Sequence, residues 1–325
     1  MTRTSIVRLN RFASLAVLPV MLLAILAFSR QAQRQPAVPP PSEGTLVVAS
    51  LRADLLELRS LSAGTSRTLA LPGAPHELVE ANGRLYATLP RAGLLAEVDP
   101  RAPGLLRLVQ LPGQPHGLAF DPAQRVLYVG LDAADELVAL DVATLAEIDR
   151  WPTGATPHVV ALADGVPHVA AARADRIETV RPAGGTVASV GRLPEALAAL
   201  PGIVAAASYL DGTLHLLRPL SLEPVADIPL GGGPVRLLPL GERTIAVALQ
   251  EAGQVAIVDA ERRAILRRLD VPARPDGLCR SPSGAYLAVV SNAEGRITVF
   301  ETASWRVAAR YTAAEGPGAC LWLPD

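Results

Sequence analysis

The apolar residues of this chain come in short runs that are separated by polar turns. Between residues 116 and 151, runs rich in Val, Leu and Ile predict four strands, His116–Asp121, Arg125–Leu131, Glu136–Asp141 and Ala146–Trp151. Four short strands joined by tight turns form an antiparallel four-stranded sheet. The 3.6-residue apolar period of an amphipathic helix is absent from residue 44 onward.

A proline that precedes each such unit recurs along the chain at a nearly constant spacing. Its seven positions are Pro75, Pro115, Pro157, Pro194, Pro234, Pro275 and Pro317. The steps between them are 40, 42, 37, 40, 41 and 42 residues. A repeat of about 40 residues with four strands is typical of one blade of a β-propeller.

The two ends of the repeat region are incomplete in complementary ways. Thr45–Ser50, Leu55–Ser60 and Ser66–Leu71 correspond to the second, third and fourth strands of a blade, whereas Gly318–Leu323 corresponds to a first strand. Pairing the two pieces closes the ring and removes free sheet edges at the joint. We therefore predict an all-β fold over residues 44–325: a seven-bladed β-propeller of four-stranded antiparallel blades, closed by a blade shared between N- and C-terminal strands.

The segment before the repeats has the pattern of an export signal. Residues 1–11 carry three arginines and no acidic residue, and residues 12–28 carry no charge. We expect residues 1–29 to be a signal peptide or an N-terminal membrane anchor, and residues 30–43, with four prolines, to be a linker. The propeller is then exported, periplasmic or extracellular, and contacts a membrane only through residues 12–28 if the leader is uncleaved.

Charge and cysteine content narrow the classes of partner. Half of the residues are hydrophobic and the formal net charge is −1, so we expect a monomer with a large core and no nucleic-acid partner. Cys279 and Cys320 occupy corresponding strands of the last two repeats, four and three residues after the repeat proline. Because side chains alternate along a strand, this offset predicts opposite faces and two buried free thiols rather than a disulfide.

Two repeats resemble those of the YVTN-repeat β-propeller family. The segment Pro115–Pro122 followed by Arg125–Gly130, and the segment Pro275–Leu278 followed by Ser281–Asn292, match that family's proline loop, apolar strand, turn and second strand. The resemblance covers residues 44–325, although the fourth and fifth repeats are degenerate. It implies the propeller fold and an exported binding protein, and it implies no catalytic residues.

One position of the repeat concentrates residues with chemical function, namely the residue after the repeat proline, which begins the innermost strand beside the central channel. Around the ring it reads His76, His116, His158, Glu195, Val235, Asp276 and Gly318. Imidazole and carboxylate groups suit Cu, Zn or Fe, so the candidate metal ligands are His76, His116, His158, Glu195 and Asp276. The alternative is that these histidines hydrogen-bond to neighbouring backbone.

Signals for catalysis are otherwise missing from the sequence: there is no Gly-x-Ser-x-Gly elbow, no phosphate-binding loop and no Cys-x-x-Cys-His. Arg52, Arg91 and Arg173 fall in turns on the same side as the histidines, as an anion-attracting rim or as ordinary solvated residues. The first expectation is a non-catalytic exported propeller that binds a small ligand, peptide or protein partner at its channel face. The alternative is a metal-binding (Cu, Zn or Fe) propeller enzyme or metal carrier.

Overall fold

The computed structural model describes residues 37–325, of which residues 40–325 form one compact unit. The predicted signal peptide or anchor at 1–29 lies outside the described residues, as does the first half of the predicted linker. No helix in the described part of the chain is long and apolar enough to cross a membrane.

The described residues contain 28 strands, numbered β1 to β28 in chain order. Their bounds are β1 Thr45–Ser50, β2 Leu55–Ser60, β3 Thr65–Ala70, β4 Leu78–Ala81, β5 Arg84–Leu89, β6 Leu94–Asp99, β7 Gly104–Gln110, β8 Pro115–Asp121, β9 Val126–Leu131, β10 Glu136–Asp141, β11 Glu147–Pro152, β12 Pro157–Ala163, β13 Val166–Ala171, β14 Arg176–Thr179, β15 Val187–Ser189, β16 Pro194–Leu200, β17 Ile203–Ser208, β18 Thr213–Leu217, β19 Pro224–Pro229, β20 Pro234–Pro239, β21 Thr244–Leu249, β22 Gln254–Asp259, β23 Ala264–Asp270, β24 Pro275–Arg280, β25 Tyr286–Ser291, β26 Arg296–Glu301, β27 Val307–Thr312 and β28 Pro317–Leu323. The only helical turns between residues 37 and 325 are two short 3-10 helices, Pro90–Ala92 and Ala172–Ala174.

The strands form seven four-stranded antiparallel sheets, so the predicted seven-bladed propeller is confirmed. Blades 1 to 6 each use four consecutive strands, β4–β7, β8–β11, β12–β15, β16–β19, β20–β23 and β24–β27. Blade 7 has the order β28-β1-β2-β3 and joins the two ends of the propeller region. The eight strands whose bounds were predicted above begin and end within one residue of those positions.

Pairing between β1 and β28 closes the ring, with Thr45 opposite Leu323 and Val48 opposite Cys320. Two further contacts fix the ends beside this joint. The indole Nε1 of Trp322 donates to the carbonyl of Glu43 at 2.9 Å, and the backbone N–H of Gly44 donates to Asp325 Oδ2 at 3.1 Å. The shared blade is therefore held by its ladder and by contacts at both termini.

The hydrophobic core lies between neighbouring blades, because both faces of each sheet are apolar. One cluster joins Val48 and Trp322 of blade 7 to Ala288 and Val290 of blade 6, all at most 7% exposed. Similar clusters occupy the other interfaces. Alternating residues of one strand thus pack against two different blades.

Cys279 and Cys320 form a disulfide between β24 and β28, with Cα atoms 5.7 Å apart. The prediction of free thiols was wrong, although its premise was correct. An offset of one does place the two side chains on opposite faces of equivalent sheets. Blades in a propeller pack face to face, so the opposite faces of two neighbours are the ones that meet. Both cysteines belong to the apolar cluster between blades 6 and 7.

Candidate functional site

A bulge at the start of the inner strand places the residue after the repeat proline at the channel. In blade 3, Pro157 pairs with Ala171 and Val159 with Ala170, so His158 has no partner in the ladder. Register shifts follow the proline in blades 2 to 7. A bulge interrupts the alternation of side chains, and consecutive residues of this segment can therefore both face the channel.

The chain enters most of these bulges through a left-handed residue. Gln114, Thr156, Leu193 and Arg274, each immediately before a repeat proline, have φ between 56° and 61°. This conformation is uncommon for residues with a Cβ, and most so for β-branched Thr156. Its backbone carbonyl accepts hydrogen bonds from the N–H groups of His158 and Ala172, both at 2.8 Å. Such local hydrogen bonds compensate the backbone strain of these left-handed residues. The residues lie where the inner strands begin, beside the channel mouth.

The structure brings His76, His116 and His158 together at this mouth. The ring centroids of His116 and His158 are 3.7 Å apart and stacked, and those of His76 and His116 are 3.8 Å apart and tilted. His76 and His158 lie on either side of His116, with centroids 6.2 Å apart. The histidines of three consecutive blades form one contiguous histidine stack with His116 in its centre.

Gly117 is what allows blades 2 and 3 to approach so closely. A Cβ at this position would lie 2.9 Å from both the carbonyl oxygen of His158 and the amide nitrogen of Val160. The unpaired carbonyl of His158 in turn accepts a hydrogen bond from His116 Nδ1 at 2.8 Å. The sequence His116-Gly117 therefore connects the bulge of one blade to the bulge of the next.

The hydrogen bonds determine which imidazole nitrogens carry lone pairs. His116 donates its Nδ1–H to the His158 carbonyl, and His158 donates its Nδ1–H to Asp132 Oδ2 at 3.0 Å. In both neutral rings Nε2 is then unprotonated. Histidine ligands of metals are oriented in this way, with the second nitrogen bonded to a carbonyl or carboxylate oxygen.

The distance between His116 Nε2 and His76 Nε2 is 3.2 Å, and it fits two kinds of interaction. His76 can donate its Nε2–H to the lone pair of His116. Alternatively both nitrogens can bind one ion, because two nitrogens in a tetrahedral zinc site, each about 2.0–2.1 Å from the metal, lie about 3.3 Å apart. The donor atoms of His116, Asp132 and His158 also lie within 4.8 Å of one another.

Burial and neighbouring charges shift the pKa values of His116 and His158 in opposite directions. Burial lowers the pKa of His116 to about 2, and the adjacent His76 and His158 add to the shift. For His158, burial alone would lower the pKa, but the hydrogen bond and negative charge of Asp132 outweigh it, and the net shift is upward. The centre of the stack therefore stays neutral, as a metal ligand must be.

The two predicted carboxylates have different surroundings. Glu195 lines a central cavity of about 360 Å³ together with His76, His158 and Tyr209, and burial raises its pKa. Asp276 lines the same cavity, but its carboxylate lies 3.4 Å from the Arg236 guanidinium. Asp276 is therefore committed to an ion pair, whereas Glu195 forms no ion pair among residues 37–325 and shares the cavity with His76 and His158.

An ion pair that the sequence analysis missed crosses the channel. Arg236 Nη1 of blade 5 donates to both carboxylate oxygens of Glu77 in blade 1, at 2.6 and 2.8 Å. Burial alone would raise the pKa of Glu77, but the charge of Arg236 and the neighbouring His76 reverse this, and the pKa lies far below its ordinary value. The pair also lines a smaller cavity of about 140 Å³ that extends along the inner strands.

Three important residues were missed for two reasons. Glu77 and Arg236 stand two residues after the repeat proline, where strict alternation would point them away from the channel. Asp132 is the first residue of the turn between β9 and β10, which lies at the same end as the start of β8. A survey of the second residue after each proline and of these turns would have found all three.

Two of the three arginines considered in the sequence analysis lie on one side of the mouth. Arg52 and Arg91 line a second cavity of about 420 Å³, here called the arginine cavity, with His76, His116 and Asn292. Arg173 occupies the equivalent short turn in blade 3 and is exposed, and it does not line this cavity.

A hydrogen-bonded Ser–His–Asp chain occurs in blade 4 and has the order of a hydrolase triad. Ser208 Oγ lies 3.1 Å from His215 Nε2, and His215 Nδ1 lies 2.8 Å from Asp227 Oδ1. Ser208 is completely buried, however, and the backbone N–H of Gly191 also donates to His215 Nε2 at 3.2 Å. The chain therefore ties the outer three strands of this blade together, with His215 in the third strand.

Comparison with known proteins identifies the fold and no closer relationship. No protein-family model matches the chain, and no curated protein matches it. A functionally unknown protein from Desulfotomaculum acetoxidans DSM 771 aligns with a TM-score of 0.74 and 11% identity, covering 87% of this chain and 100% of its own. A protein from Lactobacillus plantarum gives 0.73 and 16%, with coverages of 86% and 99%.

Enzymes are also among the similar structures. Hydrazine synthase from Kuenenia stuttgartiensis aligns with a TM-score of 0.67 and 16% identity, covering 77% of this chain and 90% of its own. At these identities the likeness shows the β-propeller fold alone, and a shared fold does not transfer an activity. The residues at the channel mouth are therefore the basis for a functional proposal.

Proposed function

We propose that this protein is an exported, non-catalytic binding propeller whose ligand is a small molecule held at the channel mouth. The observation that carries the proposal is the central cavity, lined by polar and charged side chains from the inner-strand starts and neighbouring turns of several blades. Beneath it, the Glu77–Arg236 ion pair spans the channel from blade 1 to blade 5. A mouth with polar walls and a charged floor favours a ligand that enters from one side.

The size of the mouth supports a small ligand over a peptide or protein partner. The central cavity and the arginine cavity have volumes of about 360 and 420 Å³ and share His76. Pockets for small molecules and cofactors are typically about 300–1,000 Å³. Tyr209, Gln250 and Glu195 offer hydrogen-bond donors and acceptors around the central cavity.

The disulfide supports export. Disulfides persist in oxidising compartments such as the periplasm and the cell exterior, and they are rare in the cytosol. The Cys279–Cys320 bond agrees with the leader expected at residues 1–29. Membership of the YVTN-repeat family and a monomeric state are parts of the same proposal, and both are consistent with the seven-bladed ring.

The second candidate is a metal site at the histidine stack, for Zn, Cu or Fe. The 3.2 Å separation of His76 Nε2 and His116 Nε2 favours it, as does the orientation of His116 and His158 by oxygen acceptors. His76 and His116 would be ligands, His158 or Glu195 would complete the shell, and Asp132 would orient His158. Asp276 would not take part because it pairs with Arg236.

The small-ligand proposal is tested by screening metabolites for an increase in melting temperature. Each stabilising compound is then measured against a Glu195→Gln, Tyr209→Phe variant and against an Arg101→Gln control. Arg101 lies in the turn between β6 and β7, at the opposite end of the blade. We expect binding to weaken in the first variant and to persist in the control. No stabilising compound, or equal binding by both variants, would contradict the proposal.

The metal candidate is tested by elemental analysis after reconstitution with Zn²⁺, Cu²⁺ or Fe²⁺. An Asn side chain at position 116 can keep the hydrogen bond to the His158 carbonyl while removing Nε2, so the His116→Asn variant should stay folded and lose the metal. Since protonated imidazole cannot bind a metal, affinity should fall with decreasing pH. Stoichiometric metal in the His116→Asn variant would place the site elsewhere.

A further inference from the structure

The arginine cavity differs from the central cavity in its charge balance. The central cavity is lined by Glu195 and Asp276 as well as by arginines. The arginine cavity is lined by Arg52, Arg91, His76 and His116 and by no acidic side chain. The channel mouth therefore has one basic side, next to blades 7 and 1.

The positive charge of this side is not compensated by the protein. Among the ion pairs of residues 37–325, none includes Arg52 or Arg91. By contrast, Arg236 in the same channel is neutralised by Glu77 and Asp276. Two arginines without carboxylate partners on the wall of a cavity attract an anion from solution.

Both arginines start from turns that restrict their positions. Arg52 Nη1 and Nη2 lie 3.4 Å from the side-chain and backbone oxygens of Asn292, which orients the guanidinium through two long hydrogen bonds. Its stem covers Gly316, where a Cβ would lie 2.9 Å from Arg52 Cγ. Arg91 lies in the 3-10 turn Pro90–Ala92, which ends at left-handed Gly93 with φ 66°.

His76 extends the polar wall between the two cavities. It lines both of them, and its Nδ1 lies 3.6 Å from Glu77 Oε1. An oxyanion here would meet guanidinium donors from Arg52 and Arg91, and Arg pairs with carboxylate and phosphate groups through planar, bidentate hydrogen bonds. Glu195, on the side of the central cavity, would repel the same group.

We infer that Arg52 and Arg91 form an oxyanion subsite, which binds the carboxylate or phosphate group of the small ligand held at the channel mouth. This inference rests on the proposed function and adds the chemical class of the ligand. The anionic group lies between blades 7 and 1, and the remainder of the molecule extends past His76 into the central cavity.

The experiment is calorimetric titration of the folded protein with inorganic phosphate and, separately, with succinate at low ionic strength. Arg91→Gln and Arg52→Gln should each weaken binding of the preferred anion about tenfold, as expected for the loss of one charged hydrogen-bond partner. Arg173→Gln is the matched control, because Arg173 lies in the equivalent 3-10 turn of blade 3 away from this cavity. The Arg173→Gln variant should bind the anion with the same affinity as the wild type.

The outcomes separate this inference from the proposed function. Binding of either anion that depends on Arg52 and Arg91 supports the subsite, and the preferred probe distinguishes phosphate from carboxylate. No binding of either anion by the wild type, or equal losses in Arg91→Gln and Arg173→Gln, would overturn it. A metabolite that binds through Glu195 and Tyr209 but is unaffected by Arg91→Gln would overturn the subsite and leave the proposed function standing.

Discussion

The junction between blades 6 and 7 and the junction between blades 2 and 3 use the same inner-strand positions for different purposes. At the first, Gly277 lets its backbone approach the carbonyl of Gly318, and Cys279–Cys320 joins the blades covalently. At the second, Gly117 again lets the backbones meet, but His116 and His158 stack at the channel. One junction closes the ring, whereas the other presents polar side chains to a ligand.

The difference shows that the same bulged segment can serve ring closure at one junction and present polar side chains at another. The fold must be closed once, where the two termini meet, and that blade carries a small residue, Gly318, at the channel position. The blades that are single segments carry His, Glu, Val or Asp there. Substitutions at the junction of blades 6 and 7 should therefore act mainly on unfolding. Substitutions at the junction of blades 2 and 3 should act mainly on binding.

Deleting residues 318–325 should have the largest effect, because it removes β28, the inner strand of blade 7. Trp322 and Leu323 are 7% and 8% exposed, and each large apolar side chain contributes about 1.5–3 kcal/mol when buried. Losing the burial of these side chains together with the β1–β28 ladder should cost a free energy comparable to a domain's net stability of about 5–15 kcal/mol. Circular dichroism should show no cooperative transition, or one at a far lower temperature.

The control for this deletion removes only Pro324 and Asp325. That change keeps β28 and loses the hydrogen bonds of Asp325 to Gly44 and Ser62, so its melting temperature should stay close to that of the full chain. Equal melting of the long deletion and the full chain would contradict the role of β28 in closing the ring.

Glu77→Gln should cost about 3–5 kcal/mol of unfolding free energy, because it leaves the buried Arg236 with an incomplete partner. The low pKa of Glu77 means that its contribution is present above its ordinary value of 4.5 and is lost as the pH falls below it. Denaturant titrations at pH 7 and at about pH 3 should therefore show a smaller difference in the variant than in the wild type. Glu261→Gln, at an exposed ion pair with Arg243, is the matched control and should change stability little.

Reducing the disulfide should lower the unfolding free energy by about 4 kcal/mol, the chain-entropy value for a loop of 41 residues. The comparison is between oxidised and reduced wild-type protein, so that no cavity is created. A Cys279→Ala, Cys320→Ala variant should respond to the reductant with no change in melting temperature. If the reduced and oxidised wild types unfold at the same denaturant concentration, the disulfide does not stabilise the closure.

The histidine stack should have the smallest effect on stability and a distinct pH dependence. Because the pKa of His116 in the folded state is about 2, far below its ordinary value of 6.5, the unfolded chain binds the extra proton. Its contribution is complete above pH 6.5 and is lost as the pH falls. His116→Asn should therefore flatten the decline in stability between about pH 6.5 and 4.5. An unchanged slope would mean that His116 is protonated in the folded protein.

Much of the fold was predictable because the repeat is a physical unit with visible ends. The 40-residue period, the strand-length runs and the incomplete first and last repeats were enough to count the blades and to pair β1 with β28. The channel position of His76, His116 and His158 followed from the same register. Their mutual contact could not be derived, because it depends on bulge geometry and on the close approach that Gly117 permits.

The error and the omissions have separate origins. A rule for one sheet was applied across two, and the disulfide was therefore missed. Strict alternation was assumed at the start of the inner strand, where a bulge interrupts it, and Glu77 and Arg236 were missed. In the first case the unknown was how neighbouring blades face each other, and in the second it was the bulge within the strand itself.

The bulge that begins nearly every inner strand has one more consequence. The residue it exposes has no partner in the ladder, so the pairing of the inner strand does not depend on its side chain. Where that side chain also lies outside the core between blades, as at His158 and Glu195, it can be exchanged while the sheet is kept. The chemistry of the channel mouth can therefore change at single blades without a change of fold.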